Sequence, residues 1–343
     1  MKHILIIAIL SISNFTFAQV GGENVFNFLN VSTSARQAAL GGEVLTLYDD
    51  VNQPLWNPST INKEIDNQAS VSYVDFLADI NYGSATFAHL INRRIGTLHA
   101  GVTYVNYGTF IGADEYGQET GTFKAKDLAL SVGYAYRIPK SNFHAGANLK
   151  YISSSIQNYT SNGIAVDFGL TYFNDNKPFI ISGVIRNIGY QINVFDEERE
   201  TLPLEIAVGA SYRLTNVPLQ WHVTLDNLQK WNVAVRNPSD SQTSIDGETS
   251  NDNISFLDNA FRHVVVGAEL FPDKVFNLRL GYSFRRGKEL RLTESRTFAG
   301  LSAGFGLQLG RLKFNYAFTK YHPVTNTNTF TLNINLAKKN FNK

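Results

Sequence analysis

Apolar and polar residues alternate along most of this chain with a period of two. Ala299, Leu301, Ala303, Phe305, Leu307 and Leu309 make one row, and Gly300, Ser302, Gly304, Gly306 and Gln308 the other. Leu312, Phe314, Tyr316 and Phe318 then oppose Arg311, Lys313, Asn315 and Thr319, and Phe330, Leu332, Ile334 and Leu336 oppose Thr331, Asn333 and Asn335. Earlier segments agree: Leu128, Leu130, Val132, Tyr134 and Tyr136 interleave with Ala129, Ser131, Gly133, Ala135 and Arg137, and Val166, Phe168, Leu170 and Tyr172 with Asp167, Gly169 and Thr171. Successive side chains of a strand point to opposite faces. The pattern therefore predicts strands with one apolar face and one face of small, polar or charged residues, about fourteen of them from Ala69 to Leu336.

A soluble sandwich also alternates, so the fold class rests on three further features. The apolar rows are rich in Leu and Phe with aromatics near their ends, as the girdles of a transmembrane barrel require. The opposite rows hold Gly, Ser and scattered charges of both signs, which suits a narrow lumen. The connections alternate: short ones at 92–96, 139–142, 174–178, 215–218, 272–274 and 310–311, longer ones at 111–122, 189–202, 231–258 and 287–294. Short periplasmic turns and longer surface loops on an even strand count predict an all-β protein, an antiparallel transmembrane β-barrel of about 14 strands spanning 68–337.

Residues 1–18 read as a signal peptide: Lys2 and His3, an apolar run from Ile4 to Leu10, and a small-residue site at Ala18, giving a mature start at Gln19. That run is too short to span a bilayer. Residues 19–67 differ from the strands that follow. Ser34 is placed to cap a short helix through Ala35, Ala38 and Leu40, ended by Gly41 and Gly42. A turn-rich stretch with Trp56, Asn57 and Pro58 leads to the first strand. This segment is expected to plug the lumen rather than form a periplasmic collar. Residues 338–343 form a basic tail.

Composition narrows the function. The chain of 343 residues has 24 Phe, 16 Tyr and 17% charged residues, with a mean hydropathy of −0.14, the near-neutral average that alternating strands produce. It has no cysteine, hence no thiol or disulfide chemistry, and its net charge of +1 predicts no nucleic-acid partner. His99, His144, His222, Asp167, Glu205, Glu269, Lys150, Arg213 and Arg279 fall on the inward phase. No Gly-x-Ser-x-Gly elbow or His-Glu-x-x-His pattern accompanies them. Ion pairing across the lumen is the simpler reading, with no catalytic, metal or cofactor site. The inward row otherwise holds small and polar residues, with Phe87 and Phe271 as large apolar exceptions. The acidic runs Asp196 to Glu200 and Asp246 to Asp252 are read as solvated loops. Trp231, Asp246 and Glu248 in the longest loop are candidates for partner contact.

The segment SARQAALGG (Ser34 to Gly42), the pair Asp49–Asp50 and the Asn57–Pro58 motif resemble the FadL-like barrel superfamily. Within it, the stretch GGENVFNFLNVSTSARQAALGG resembles the PorQ-type barrels of the type IX secretion system of Bacteroidetes, and the resemblance extends over essentially the whole mature chain. It implies a non-enzymatic component that docks surface-attachment proteins such as PorZ, PorU and PorV, besides its contact with outer-membrane lipid. The wider superfamily implies the alternative, a transporter of hydrophobic compounds. There are two departures. Ser59 replaces the usual Ala after Asn–Pro, and Phe341 lies displaced in the basic tail, where many barrels end on an aromatic.

Overall fold

The computed structural model describes residues 24–92, 95–174, 176–234, 255–290, 298–322 and 325–337. The expected signal peptide, the basic tail, Asp246 and Glu248 lie outside these residues. Fourteen strands follow one another: β1 (Gln68–Leu77), β2 (Ile80–Asn92), β3 (Gly96–Ala113), β4 (Glu119–Arg137), β5 (Phe143–Ile156), β6 (Tyr159–Phe173) and β7 (Phe179–Asn193), then β8 (Glu205–Arg213), β9 (Leu219–Leu225), β10 (Val264–Leu270), β11 (Phe276–Ser283), β12 (Leu301–Leu309), β13 (Leu312–Thr319) and β14 (Thr327–Asn335). Each pairs antiparallel with its sequence neighbours, and β14 returns to β1 from Gln68↔Asn335 to Asp75↔Asn328. The sheet is closed, so no strand presents unpaired backbone groups to lipid.

The alternation sorts the two faces as the sequence predicts. Leu130, Val132, Phe168, Phe314, Phe318 and Leu332 are exposed on the outer wall, while Ser131, Asp167, Asn315, Ala317 and Thr331 are buried inside. An outer wall made of Leu, Val, Phe and Tyr would be untenable in water over such an area; it is the wall of a barrel embedded in a membrane, the architecture of bacterial outer membranes. Two local assignments differ. Ala299 and Gly300 precede β12 rather than belonging to it, because Gly300 turns the chain at φ 84°. Phe87 lies on the outer wall, since Thr86 and Ala88 are the buried residues of β2, and Phe271 ends β10 in an exposed turn at φ 56°.

The ends of β2, β4, β6, β8, β10 and β12 and the starts of β3, β5, β7, β9, β11 and β13 share one rim with the start of β1 and the end of β14, the periplasmic rim. The opposite, outer rim holds the longer connections, but two of its turns are only two residues long, Ala78–Asp79 and Gln157–Asn158. Ala78 and Gln157 adopt φ 51° and 55° to make them. The alternation of short and long connections is therefore not strict. The strands themselves account for the difference. β3 and β4 run 18 and 19 residues against 7 for β10 and 8 for β13. A membrane-spanning strand needs roughly 9–11 residues, so β3 and β4 project past the outer rim by about 25 Å of strand.

Leu332→Arg and Phe305→Arg, each placing a charge on the outer wall, should impair insertion, a midplane arginine costing about 2–4 kcal/mol. Asn333→Arg points inward and should still assemble. Heat-modifiable gel migration of the three variants reads this directly, and equal loss in all three would contradict the facing of β14.

Candidate functional site: the luminal segment and the outer rim

Residues 24–67 run inside the barrel from its outer to its periplasmic end. Near the outer rim, Val25 donates its N–H to the Thr201 carbonyl at 3.0 Å in the β7–β8 loop. Phe26 and Phe28 enter an apolar cluster with Val74, Tyr82, Val105, Ile152 and Leu202. Beside buried polar groups such as Asp127 and Gln191, the outer half of the lumen thus holds an apolar cluster, which the inward rows alone did not predict. Each strand contributes only one or two of these residues, and the segment supplies the rest.

The helix α1 (Ala35–Ala39) then packs on β11 to β14. Ser34 occupies its N-cap, but its hydroxyl makes no cap hydrogen bond. The barrel does this instead: the Ala35 N–H donates to Thr331 Oγ1 at 2.9 Å. Gly41 and Gly42, at φ 105° and 96°, end the helix, with the Gly42 N–H reaching the Gln37 carbonyl at 2.9 Å, the left-handed termination that glycine permits. Arg36 extends from α1 to the wall. Its Nη2 lies 2.8 Å from Glu269 Oε2 and its Nη1 2.8 Å from Asp49 Oδ1. Arg279 Nε meets the same Glu269 at 2.7 Å. Arg36, Glu269 and Arg279 are all buried, and one carboxylate therefore holds the segment's arginine and the wall's together.

Asn57 organises the periplasmic end. Its Nδ2 donates to the Leu45 carbonyl at 2.8 Å and to Thr171 Oγ1 at 3.2 Å, and its Oδ1 accepts from the Ser59 N–H at 3.1 Å. Pro58 starts a 3-10 turn (Pro58–Thr60) that lies on Gly146, where any Cβ would come within 2.4 Å of the Pro58 carbonyl. Ser59 is more than a small replacement for alanine. Its hydroxyl bonds Asn57 Oδ1 and Thr171 Oγ1, both at 2.6 Å. Between these ends, the Arg186 guanidinium stacks over Trp56 at 3.6 Å, pairs with Glu205 at 2.7 Å and donates to the Leu29 carbonyl at 2.9 Å. Arg186 was not singled out from the sequence, although a charge flanked by Ile185 and Ile188 in a wall strand was a usable signal.

The inward titratable residues are drawn into the same packing. Lys150 and Asp167 pair at 2.7 Å. His99 Nε2 lies 2.9 Å from the Val51 carbonyl, His144 Nε2 3.2 Å from the Tyr48 hydroxyl and His222 Nδ1 3.1 Å from the Thr46 hydroxyl. Arg213 has inward phase but sits on the periplasmic rim, exposed and paired with Asp273. The three histidines are separate contacts with the segment, not a constellation around a shared point. A cavity of about 40 Å³ remains beside Phe28, Trp56 and Lys150, room for a water or two. A polar cavity of about 250 Å³ lined by Arg36, Asp49, Lys313 and Asn333 lies at the periplasmic mouth.

At the outer rim two short helices, α2 (Phe256–Arg262) and α3 (Phe284–Glu289), stand over β10 and β11. From α3, Arg285 lies 3.8 Å from Glu43 and 3.5 Å from Asp226, and Arg286 donates to the Gly41 carbonyl. Burial and the neighbouring Asp226 push the Glu43 carboxyl up to about 8, and burial raises Asp226 too. Trp231, half exposed, packs on Phe256 at 4.9 Å and stacks on His263 at 5.5 Å.

These contacts define a transmembrane barrel whose lumen is occupied by its own N-terminal chain. No family model matches the sequence, and no curated protein matches it. Among solved structures it is similar to the Ralstonia pickettii toluene transporter TbuX, with a TM-score of 0.49 and 12% identity over 90% of this chain and 98% of that one. It is equally similar to a mutant of the TodX monoaromatic hydrocarbon channel, with 0.49 and 13% over 90% and 98%. The KdgM porin follows at 0.31 and 5%, over 78% and 98%. None of these likenesses reaches 0.5, and none decides the activity of this chain. The three are a transporter, a channel and a porin, so the secretion-family resemblance gains no support from them.

Glu269→Ala leaves the buried Arg279 without its carboxylate and Arg36 with Asp49 and Asp50 alone, and should destabilise the folded barrel by about 3–5 kcal/mol, read as a lower urea midpoint. Glu43 supplies a pH test. Its folded value near 8 lies above its ordinary 4.5, so its contribution to stability is complete below about 4.5 and is lost as pH rises through 8. Glu43→Gln should flatten that part of the urea midpoint profile between pH 5 and 9; an unchanged slope would show that Glu43 ionises freely.

Proposed function

We propose that this chain is a non-enzymatic outer-membrane barrel that docks surface-attachment proteins of a type IX secretion system at its outer rim. The observation that carries the reading is the filled lumen. The segment is bonded to the wall from Val25 to Ser59, with charged clamps at Arg36 and Arg186. A barrel closed in this way offers its rims rather than a passage. Its outer rim carries a raised wall with Ile111 and Tyr116 exposed, and an acidic loop with Asp196, Glu197 and Glu198. Rigidly mounted loops of this kind are where binding concentrates, with aromatic anchors and charge selecting the partner. Trp231 serves as one such anchor. Asp246 and Glu248 remain candidates by sequence. The segment Ser34 to Gly42 with Asn57–Pro58 supports the assignment through its resemblance, and PorZ, PorU and PorV are the partners it proposes.

A second reading is transport of hydrophobic compounds. The apolar cluster around Phe26 and Phe28 favours it, and it is the activity named for TbuX and TodX. There the segment would move aside to admit a ligand instead of remaining a fixed filling.

One pair of strains separates the readings. Deleting the gene should reduce surface retention of secreted cargo while uptake of toluene and fatty acids stays normal. A variant with Asp196, Glu197 and Glu198 changed to Ser should insert normally and recover less attachment protein in pull-downs from detergent-solubilised outer membrane. Normal cargo display with lost uptake would overturn the docking reading and establish transport.

A further inference from the structure

We propose that the outer wall of β4 and β5 carries a binding site for a phosphorylated lipid headgroup, built on Lys124 and Lys126. The proposal rests on the barrel's place in the membrane and is independent of both docking and transport. A groove of about 410 Å³ is lined there by Thr122, Lys124, Lys126, Ser155, Gln157 and Asn158. It contains two ammonium groups, two hydroxyls and two carboxamides, and no carboxylate.

The facing follows from the strand period. Ala125, Asp127 and Ala129 are buried toward the lumen, so Lys124 and Lys126 project outward, and both are exposed. As i and i+2 residues of one strand their side chains leave the wall about 7 Å apart. The nearest carboxylate in sequence, Asp127, is turned inward and accepts hydrogen bonds from Tyr107 and Ser154. Neither lysine takes part in an ion pair among the described residues. Two unpaired cations side by side on a wall repel each other, and an anion between them removes that cost.

Depth identifies the anion's source. The outward row of β4 reads Tyr136, Tyr134, Val132, Leu130 and Leu128 from the periplasmic side, then Lys126 and Lys124. Beside Leu128 and Leu130 on the neighbouring strands stand Tyr104 and Tyr151. Aromatic residues mark the bilayer interface. The next residues outward, Asn106, Lys126 and Ser155, are in register with one another and stand at headgroup level. A free anion could reach this surface, but a phosphate carried on a lipid is held at this height by its own acyl chains. The site is accordingly assigned to a phosphoglycolipid of the outer leaflet, with Lys124 and Lys126 holding phosphate and Thr122, Ser155, Gln157 and Asn158 available to sugar hydroxyls.

The test uses the full chain, purified in detergent and stripped of lipid, with bisphosphorylated lipid A in mixed micelles as probe and native mass spectrometry as readout. Wild type should bind it, and Lys124→Gln with Lys126→Gln should weaken binding roughly 10- to 30-fold, as the loss of two lysines at an anionic lipid surface implies. Lys124→Arg with Lys126→Arg should retain it, and Lys140→Gln with Lys177→Gln at periplasmic turns should leave it unchanged. Two arms need only the wild type. Dephosphorylated lipid A should bind as poorly as the Gln variant, and equimolar inorganic phosphate should not displace the lipid. Equal binding of the Gln variant or of the dephosphorylated lipid overturns the proposal, and displacement by equimolar phosphate overturns the lipid assignment.

Discussion

Backbone amides and carbonyls inside a bilayer have no water to bond, so every one must find a partner within the protein. The pairing of β1 with β14 meets that demand for the whole sheet at once, because it leaves no edge. Closure then imposes the rest. It fixes an inside and an outside, makes each strand's two rows serve different media, and encloses a lumen that something must fill. Here the filling is the protein's own N-terminal chain. Its polar groups are bonded to the wall's inward side chains, as with Asn57 and Thr171 or Arg36 and Glu269. Unpaired, each of those buried groups would cost more than its bond returns.

The lumen has two chemistries along its length. Toward the periplasm the segment is held by directional contacts, the shared carboxylate of Glu269 and the Asn57–Ser59–Thr171 hydroxyl and amide network, and midway Arg186 holds it against Trp56 and Glu205. Toward the outer rim Phe26 and Phe28 are held by apolar burial, beside directional contacts such as Val25 to Thr201 and Arg285 to Glu43. Directional, buried contacts are specific and costly to break, whereas apolar contacts tolerate exchange of one hydrophobic group for another. The stretch around Phe26 and Phe28 is thus the part of the segment that admits competition. That difference keeps the transport reading alive beside the docking one.

The wall was legible from sequence because it obeys a strict rule. Period two with an even strand count gave the barrel, its facing in β13 and β14, and its periplasmic turns. Legibility stopped where the rule is locally broken or contacts are distant. Phe87 was assigned to the wrong face because β2 carries aromatic or histidine residues in both rows, Tyr82 in one and Phe87 and His89 in the other. The two-residue turns at Ala78 and Gln157 lack the Gly or Asn pair that announces such turns. Ser34 looked like a helix cap, and the cap came instead from Thr331, nearly three hundred residues away in the chain. Ser59 looked neutral because its partner Thr171 is equally remote. The Asn57–Pro58 motif was visible; that Gly146 makes room for it was not.

The course of the luminal segment bears on how the molecule is made. Asn24 and Val25 lie by the outer loop at Thr201, while Gln68 starts β1 at the periplasmic rim. The segment's forward end has therefore travelled the length of the interior, past Arg186 and the buried carboxylates that grip it. A ring of strands already hydrogen-bonded from β1 to β14 would leave little clearance for that passage. The order of events that fits is one in which the N-terminal chain lies against β5, β6 and β10 to β13 while the sheet is still open, and the β1–β14 seam forms last around it. On that view the segment is a template for the barrel's curvature as well as its contents, and the pairing that completes the wall is also the step that traps it.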